Sequence, residues 1–343
     1  MAPIEFYKKM DESWFLNPRK GFEREKISFE VRRDPLTGSV SRILPYRQKF
    51  PKTQISPEIL ENSRKSCPFC PDQIFLSTPQ FIPEISSEGR IQKGEAVLFP
   101  NAFPYARYNW VIVLSKTHFL SLDQFSVEIL KNGFLVAQDG IERLTRTEPQ
   151  YKYCSINWNY LPQAGGGVIH PHIQVIIEDI PTFSHQRVLE GLRRYHMERG
   201  SLFWEDLISE EEKRGERYIG KRGIFHFLMV FSPIGMFGEV LIIFSHRFTL
   251  RDVTPNDWES FSEGLTRVFR FFTAKSIGSF NLAIFSGVDE GVQSWVYARL
   301  CPRMALPPWN TSDVNYLEKL HDEAYCIASP ETICEELRIY FNE

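Results

Sequence analysis

Cysteine is scarce in this chain, with six among 343 residues, at positions 67, 70, 154, 301, 326 and 334. Six are too few for a disulfide scaffold, and a chain of this length can bury a core without one. Long apolar runs are missing too. None approaches the roughly 18 residues that a membrane-spanning helix needs. The opening MAPIEFYKKMDESWF is charged where a secretory signal would be apolar. Charge of one sign is also lacking. A net charge of −3 leaves no electrostatic footprint for a nucleic-acid polymer. The expectation is a cytoplasmic protein with reduced thiols, bound to neither membrane nor nucleic acid. It would form one large domain or two halves of about 150 residues.

What is present is apolar and aromatic: 43% hydrophobic residues and 28 phenylalanines, enough for a dense core. Asp34-Pro35-Leu36-Thr37-Gly38 has turn chemistry, and Val40 to Leu44 suits a short strand. Residues 51–95 are Pro-rich and read as a loop-rich lobe. Beyond them, Trp110 to Leu114 reads as a strand and Leu122 to Leu144 as a helix. Tyr153 to Trp158 and Val168 to Ile177 read as strands. A charged stretch, Glu178 to Arg222, reads as a solvated helical connector. The order then recurs. Phe225 to Phe231 and Glu239 to Phe244 suit strands, Trp258 to Phe272 a helix, and Phe280 to Phe285 and Ser294 to Leu300 strands again. Val111 to Thr117 leads into His118 as Val240 to Ser245 leads into His246. The pattern predicts a duplicated α+β unit of about 130 residues with antiparallel strands. Leu265, Val268, Phe269 and Phe272 take helical spacing and are expected in the core. His185, His196 and His321 are expected at the surface, and Arg299 either contacts phosphate or takes part in charge pairing.

The chemistry concentrates in residues 159–174, NYLPQAGGGVIHPHIQ. Three glycines, Gly165, Gly166 and Gly167, lead into a strand that carries His170, His172 and Gln174 two residues apart. Side chains alternate along a strand, so all three share one face. Polar groups on an apolar strand are costly without partners. Phosphoryl transfer would supply the reason. A neutral imidazole attacks phosphorus well and leaves well, so an exchange between phosphates splits into two easier halves. Gln174 and the loop amides would meet the charge that develops on the phosphoryl oxygens.

Cys67-Pro68-Phe69-Cys70 has zinc-ligand spacing but supplies two of the four ligands a structural site wants. His118 and His170 are the best-placed candidates for the others. A thioredoxin-like redox pair is the competing reading, although a Pro-rich loop surrounds these cysteines rather than a βαβ unit.

HPHxQ after a glycine loop, with CPxC upstream, resembles the galactose-1-phosphate uridylyltransferase branch of the histidine-triad superfamily. The resemblance runs over most of the chain. Asp34–Gly38 with the Arg47 region, Asn101-Ala102-Phe103-Pro104, Ser115 to Leu122, and Phe237 to Thr254 fall in the family's order. The resemblance implies two histidine-triad-like halves about a pseudo-twofold axis, residues 1–180 and 223–343, joined by the connector 181–222. It implies Zn2+ at Cys67, Cys70, His118 and His170, with His172 as nucleophile and Gln174 as phosphate donor. Arg47, Phe69, Asn101, Phe103, Asn159 and the three glycines would surround the substrate. Dimers are expected, as in that family.

The departures carry information too. Ala102 replaces an Asp and Gly167 a Ser. The second half lacks the metal-binding HxH, Ser294 to Arg299 standing there, so His246 is left alone and no second metal is expected. Thr311 to Tyr316 occupies the place of the hexose-binding segment, so galactose does not carry over. The reaction implied is transfer of a nucleoside monophosphate from a nucleoside diphosphate sugar to a sugar phosphate through nucleotidyl-His172. A phosphorylase or hydrolase of ADP-sugars or dinucleoside polyphosphates is the alternative. A non-catalytic nucleotide-binding module is the third reading.

Overall fold

The computed structural model describes residues 4–44, 55–287, 291, 294–308 and 311–343. The chain opens with a long hairpin, β1 (Lys8–Asn17) and β2 (Glu23–Arg33), followed by β3 (Val40–Ile43). Helices α1 (Pro57–Lys65) and α2 (Ile74–Ser77) interrupt the stretch expected to be loop. Ser56 caps α1 and Pro57 supplies its preset first residue. Next come β4 (Ile91–Lys93), β5 (Ala96–Pro100) and β6 (Tyr108–Val113), then α3 (Val127–Thr147), β7 (Tyr153–Tyr160) and β8 (His172–Glu178).

The expected connector holds α4 (Phe183–Arg199) and α5 (Phe203–Arg214). The second set of strands is β9 (Tyr218–Arg222), β10 (Phe225–Met229) and β11 (Val240–Phe244), then α6 (Pro255–Ala274), β12 (Ser279–Ser286) and β13 (Tyr297–Arg303). The chain ends with β14 (Ala305–Leu306), β15 (Thr311–Ser312), α7 (Tyr316–His321), β16 (Glu323–Cys326) and α8 (Pro330–Asn342).

Ten strands form one sheet, in the order β4-β5-β6-β8-β7-β12-β13-β11-β10-β9. The order has the same form from either end: a hairpin, a third strand, and then two strands exchanged relative to the chain. Every pairing in it is antiparallel. A second sheet, β1-β2-β3-β16, closes with a parallel pair between β3 and β16.

The two long helices cover one face of the large sheet. Leu130, Phe134, Ala137, Ile141 and Leu144 make the buried stripe of α3. Trp258, Phe261, Leu265, Val268, Phe269 and Phe272 make that of α6. Each large side chain contributes about 1.5–3 kcal/mol of burial. The helices also touch each other, with Phe134 stacked on Trp258 at 5.0 Å and the Trp258 indole donating to Gln138 at 2.7 Å.

The opposite face carries the chemistry. It is covered over its second half by α4 and α5, whose Val188, Leu192, Phe203, Trp204 and Leu207 are buried with Leu228, Ile243 and Tyr297. The segment 178–222 is therefore only half solvated. Most of its charges lie outward, the buried Glu211–Arg217 pair apart, while an apolar stripe on each helix binds the sheet. His185, expected at the surface, is buried against Tyr153, Phe285 and Tyr297, because it lies on that inner stripe. Among the described residues no helix is long and apolar enough to cross a membrane.

Candidate functional site

The strand expected over Val168 to Ile177 begins as β8 only at His172, although Leu114 N–H still donates to the Pro171 carbonyl at 3.0 Å. Ile173, Val175 and Ile177 point into the core beneath α3. His172 and Gln174 take the other face, over Val111 and Val113 of β6. The period-two alternation of the sequence produces this division.

His170 is held three ways. Its Nε2–H donates to the Ser115 carbonyl at 2.7 Å, and its Nδ1 faces Cys67 Sγ at 3.5 Å and Cys70 Sγ at 3.8 Å. His118 turns Nδ1 towards Cys70 Sγ at 3.5 Å and places Nε2 2.9 Å from the Ser63 hydroxyl. All four residues are buried, and their ligand atoms lie within 4.8 Å of one another. Metal–sulfur and metal–nitrogen bonds of about 2.3 and 2.1 Å meeting at tetrahedral angles set an N···S edge of about 3.6 Å. The observed separations match that edge, so the donor set fits a four-coordinate metal. Each imidazole also has an outer acceptor that fixes the ligating nitrogen. Burial, followed by the adjacent Cys67, pushes the Cys70 thiol up to about 11. Burial lowers His118, and holds His170 down at about 4. Neutral imidazoles are what a metal requires.

His172 is 8% exposed and hydrogen-bonded through Nδ1 to the His170 carbonyl at 2.7 Å. Nδ1 thus carries the proton, and the lone pair sits on Nε2. The Phe69 ring lies 5.2 Å away, edge-on. Burial, opposed by the His170 carbonyl, keeps this imidazole below its ordinary pKa. Two positions on, Gln174 Oε1 accepts from the Tyr105 hydroxyl at 2.6 Å, which leaves the amide N–H pair free to donate elsewhere.

Asn101 and Phe103 lie in the loop after β5. Asn101 donates to the Asn109 side chain at 2.8 Å and accepts from the Phe103 amide at 3.0 Å, while Phe103 is 86% exposed. Asn159 accepts from Asn281 of β12 at 2.6 Å. In the glycine loop, a side chain at Gly166 would strike the Asn159 and Leu161 carbonyls, and Gly165 has φ +87°.

The amides of Gly165 and Gly166 donate to the Pro162 and Leu161 carbonyls. They are thus engaged in shaping the turn rather than turned towards a phosphate, and among the described residues the Gly167 amide has no such backbone bond. Arg47 lies outside the described residues. Arg299 pairs with the buried carboxylate of Glu239, which decides between its two readings for charge pairing. Tyr105, Ser63 and Asn281 escaped the sequence reading. Tyr105 stands two residues after Phe103 in the same loop, and nothing in the pattern separates it from an ordinary surface tyrosine. A hollow of about 620 Å³ opens beside Gly165, with Arg303 and Lys319 on its wall.

No family model matches the sequence. The fold does match solved structures. A GalT-like protein from Arabidopsis thaliana superposes with a TM-score of 0.70, over 90% of this chain and 98% of that one, at 15% identity. The fold is that of the GalT-like proteins. An ADP-glucose phosphorylase from Arabidopsis thaliana, solved with ADP-glucose, shares the GalT-like fold at a TM-score of 0.69 and 16% identity, over 90% of this chain and 98% of that one. A uridylyltransferase does so at 0.66 and 16%, covering 91% and 98%. An uncharacterized protein of Archaeoglobus fulgidus is 29% identical over 340 residues, 99% of this chain and all of that one.

Proposed function

We propose that the chain is a nucleotidyltransferase working through a covalent nucleotidyl-histidine at His172. One observation carries this reading. The Nδ1–H bond to the His170 carbonyl leaves Nε2 unprotonated and ready to attack, and the amide of Gln174 is held beside it as a fixed donor. In the first half-reaction Nε2 attacks the α-phosphorus of a nucleoside diphosphate derivative. The Nε2–P bond forms as the bond from phosphorus to the bridging oxygen breaks. The leaving phosphate takes the electron pair, and the imidazolium keeps its Nδ1 proton against the His170 carbonyl. In the second half a phosphate oxygen of the acceptor attacks the same phosphorus and the imidazole leaves.

Cys67, Cys70, His118 and His170 would hold Zn2+, which would fix the backbone that orients His172. Phe69, Asn101, Phe103, Asn159 and Gly167 would lie along the nucleotide, with Arg47 among the candidates. Lys319, beside Gly165, suits the acceptor's phosphate, while Arg303 is paired with Asp313. Residues 1–180 and 223–343 would be duplicated histidine-triad-like units about a pseudo-twofold axis. Two chains pairing into a dimer belongs to the same reading.

A second reading concerns the acceptor. The likeness to an ADP-glucose phosphorylase, together with the missing hexose segment, favours inorganic phosphate over a sugar phosphate. Incubation with nucleoside diphosphate sugars labelled in the α-phosphate tests both. Acid-labile, base-stable label should appear on wild-type protein and be absent from His172→Ala. Release of nucleoside diphosphate only when phosphate is added would identify the phosphorylase. Label persisting in His172→Ala would sink the covalent mechanism.

A further inference from the structure

The face that carries His172 extends along the sheet to a line of polar side chains outside the nucleophile's own strand. β7 turns Cys154, Ile156, Trp158 and Tyr160 into the core beneath the long helices, so Asn157 and Asn159 look the other way, with His172 and Gln174. The register that pairs Asn157 with Gln174 runs on towards Asn159 and His172, on strands about 5 Å apart. On its other side β7 pairs with β12, and there Asn159 stands opposite Asn281. Beyond Asn281, at the end of β13, lies Arg303, and beyond that the buried carboxylate of Asp313.

Donor and acceptor chemistry fixes how each of these groups is turned. The Asp313 carboxylate, 3% exposed, can only accept. One of its oxygens takes Arg303 Nε at 2.9 Å and Nη2 at 2.6 Å, and the other takes the Met304 amide at 3.1 Å. Arg303 can only donate, and its Nη1 reaches Asn281 Oδ1 at 2.6 Å. The Asn281 amide nitrogen donates in turn to the Ala164 carbonyl at 2.9 Å and to Asn159 Oδ1 at 2.6 Å. A cation at one end of Asn281 and a carbonyl at the other leave its amide one orientation. Asn159 inherits that choice. Its oxygen is occupied, and its N–H pair has no partner among the described residues. An unbraced asparagine could present either end.

We propose that Asp313, Arg303 and Asn281 form a positioning relay for the transfer at His172, turning the Asn159 N–H pair towards the phosphate oxygens of the nucleotide. The proposal rests on the reading of His172 given above and deepens it. The relay does for Asn159 what Tyr105 does for Gln174, so two amides stand beside the imidazole with their donors outward. Both meet an anion, and neither presents a lone pair to it. Through the Ala164 carbonyl the same asparagine also ties down the turn that opens the glycine loop. None of the three relay residues touches the reacting atoms; they act through Asn159.

Single-turnover labelling of His172, with a nucleoside diphosphate sugar labelled in the α-phosphate, tests the relay in Asn281→Asp and Asn281→Leu. Aspartate keeps the bond from Arg303 but cannot donate, so Asn159 turns its N–H pair inward and its oxygen to the phosphate. Leucine only frees Asn159 to rotate. Asn281→Asp should therefore slow labelling about tenfold or more, and more than Asn281→Leu does. A structural role alone gives the reverse order, because Asp preserves a bond that Leu removes, and that order overturns the proposal. On an Asn159→Ala background Asn281→Asp should add little; losses that multiply in full also overturn it. If Asn281→Asp does not fold, the cycle of Asn281→Leu with Asn159→Ala decides. Calorimetric binding of ADP and UDP to His172→Ala, with and without Asn281→Asp, separates the relay from the covalent step. Binding that Asn281→Asp weakens, in a protein whose wild type never labels, keeps the relay and sinks the covalent step. Wild-type labelling that Asn281→Asp leaves unchanged does the opposite. Neither label nor binding overturns both.

Discussion

In the first half of the large sheet the His118 and His170 rings lie 5.6 Å apart, at right angles, over two buried thiols. In the second half, His246 and Trp295 meet at 4.7 Å. His118 and His246 each precede by three residues a capped turn, at Ser121 and at Thr249. Pro171 and Val296 accept the corresponding backbone bonds from Leu114 and Phe244. These backbone features recur in the two halves of the sheet, while a few side chains differ. Where one half has imidazole, imidazole and amide at 170, 172 and 174, the other has indole, phenol and a guanidinium neutralised by Glu239. An aromatic pair stands where the other half has the Cys67, Cys70, His118 and His170 cluster, and a phenol stands where it has the His172 imidazole.

The largest expected effect separates the halves outright. His172→Ala should lower nucleotidyl transfer about 10⁴-fold or more, since nothing nearby can replace the attacking nitrogen. His246→Ala should leave single-turnover labelling unchanged. Equal losses in both variants would show that the two halves are not divided in this way.

The second effect is on stability and belongs to the second half. Glu331 of α8 accepts from Arg32 at 2.8 and 2.9 Å and from Arg217 at 2.8 Å, joining the small sheet to α8 and β9. Burial works to raise its carboxyl, but hydrogen bonds and charge from Arg32, then Arg217, hold it down at about 2 against an ordinary 4.5. A carboxyl depressed on folding stabilises above its unfolded pKa. That stability is present above pH 4.5 and is lost as pH falls towards 2. Glu331→Gln should cost about 3 kcal/mol at pH 7, the low end for stripping one partner from buried cations, because the side chain is 26% exposed. Chemical denaturation at pH 7 and pH 3 measures this. The gap between wild type and variant should narrow at the lower pH, and a gap that widened would refute the network.

Third comes the metal. His118→Ala should lower metal affinity more than about a hundredfold, beyond the cost of removing an outer partner. His246→Ala should retain the wild-type metal content by elemental analysis. Ser63→Ala, which removes only the acceptor of His118 Nε2–H, should fall between them.

How much of this could be read from the sequence follows from the range of the interactions. Alternation along residues 170–174 placed His172 and Gln174 opposite the core, because strand periodicity is local. Helical spacing likewise placed Leu265, Val268, Phe269 and Phe272. His185 was misplaced because a charged sequence hides a narrow apolar stripe, and only the sheet beneath reveals it. Gly165 and Gly166 looked like phosphate donors until the turn was seen to use their amides. Tyr105 and Asn281 were invisible, since each acts through a partner 69 and 122 residues away.

The smallest effect tests how finely the halves differ. Tyr105 fixes Gln174 as Glu239 fixes Arg299, yet with opposite result. The phenol donates to Oε1 and so turns the amide N–H pair outward, whereas Glu239 absorbs the guanidinium's charge. Tyr105→Phe keeps the ring and removes the donor, leaving the amide able to rotate and present its oxygen to a phosphate. Loss of one positioning bond of this kind is worth about 0.5–1.5 kcal/mol, or roughly 2- to 13-fold. The loss should fall on kcat, because the amide is asked to meet charge that grows in the transition state. Tyr105→Phe should then add little to Gln174→Ala, so that the double variant loses no more than Gln174→Ala alone. Independent, additive losses would mean that Tyr105 touches substrate directly instead of acting through Gln174.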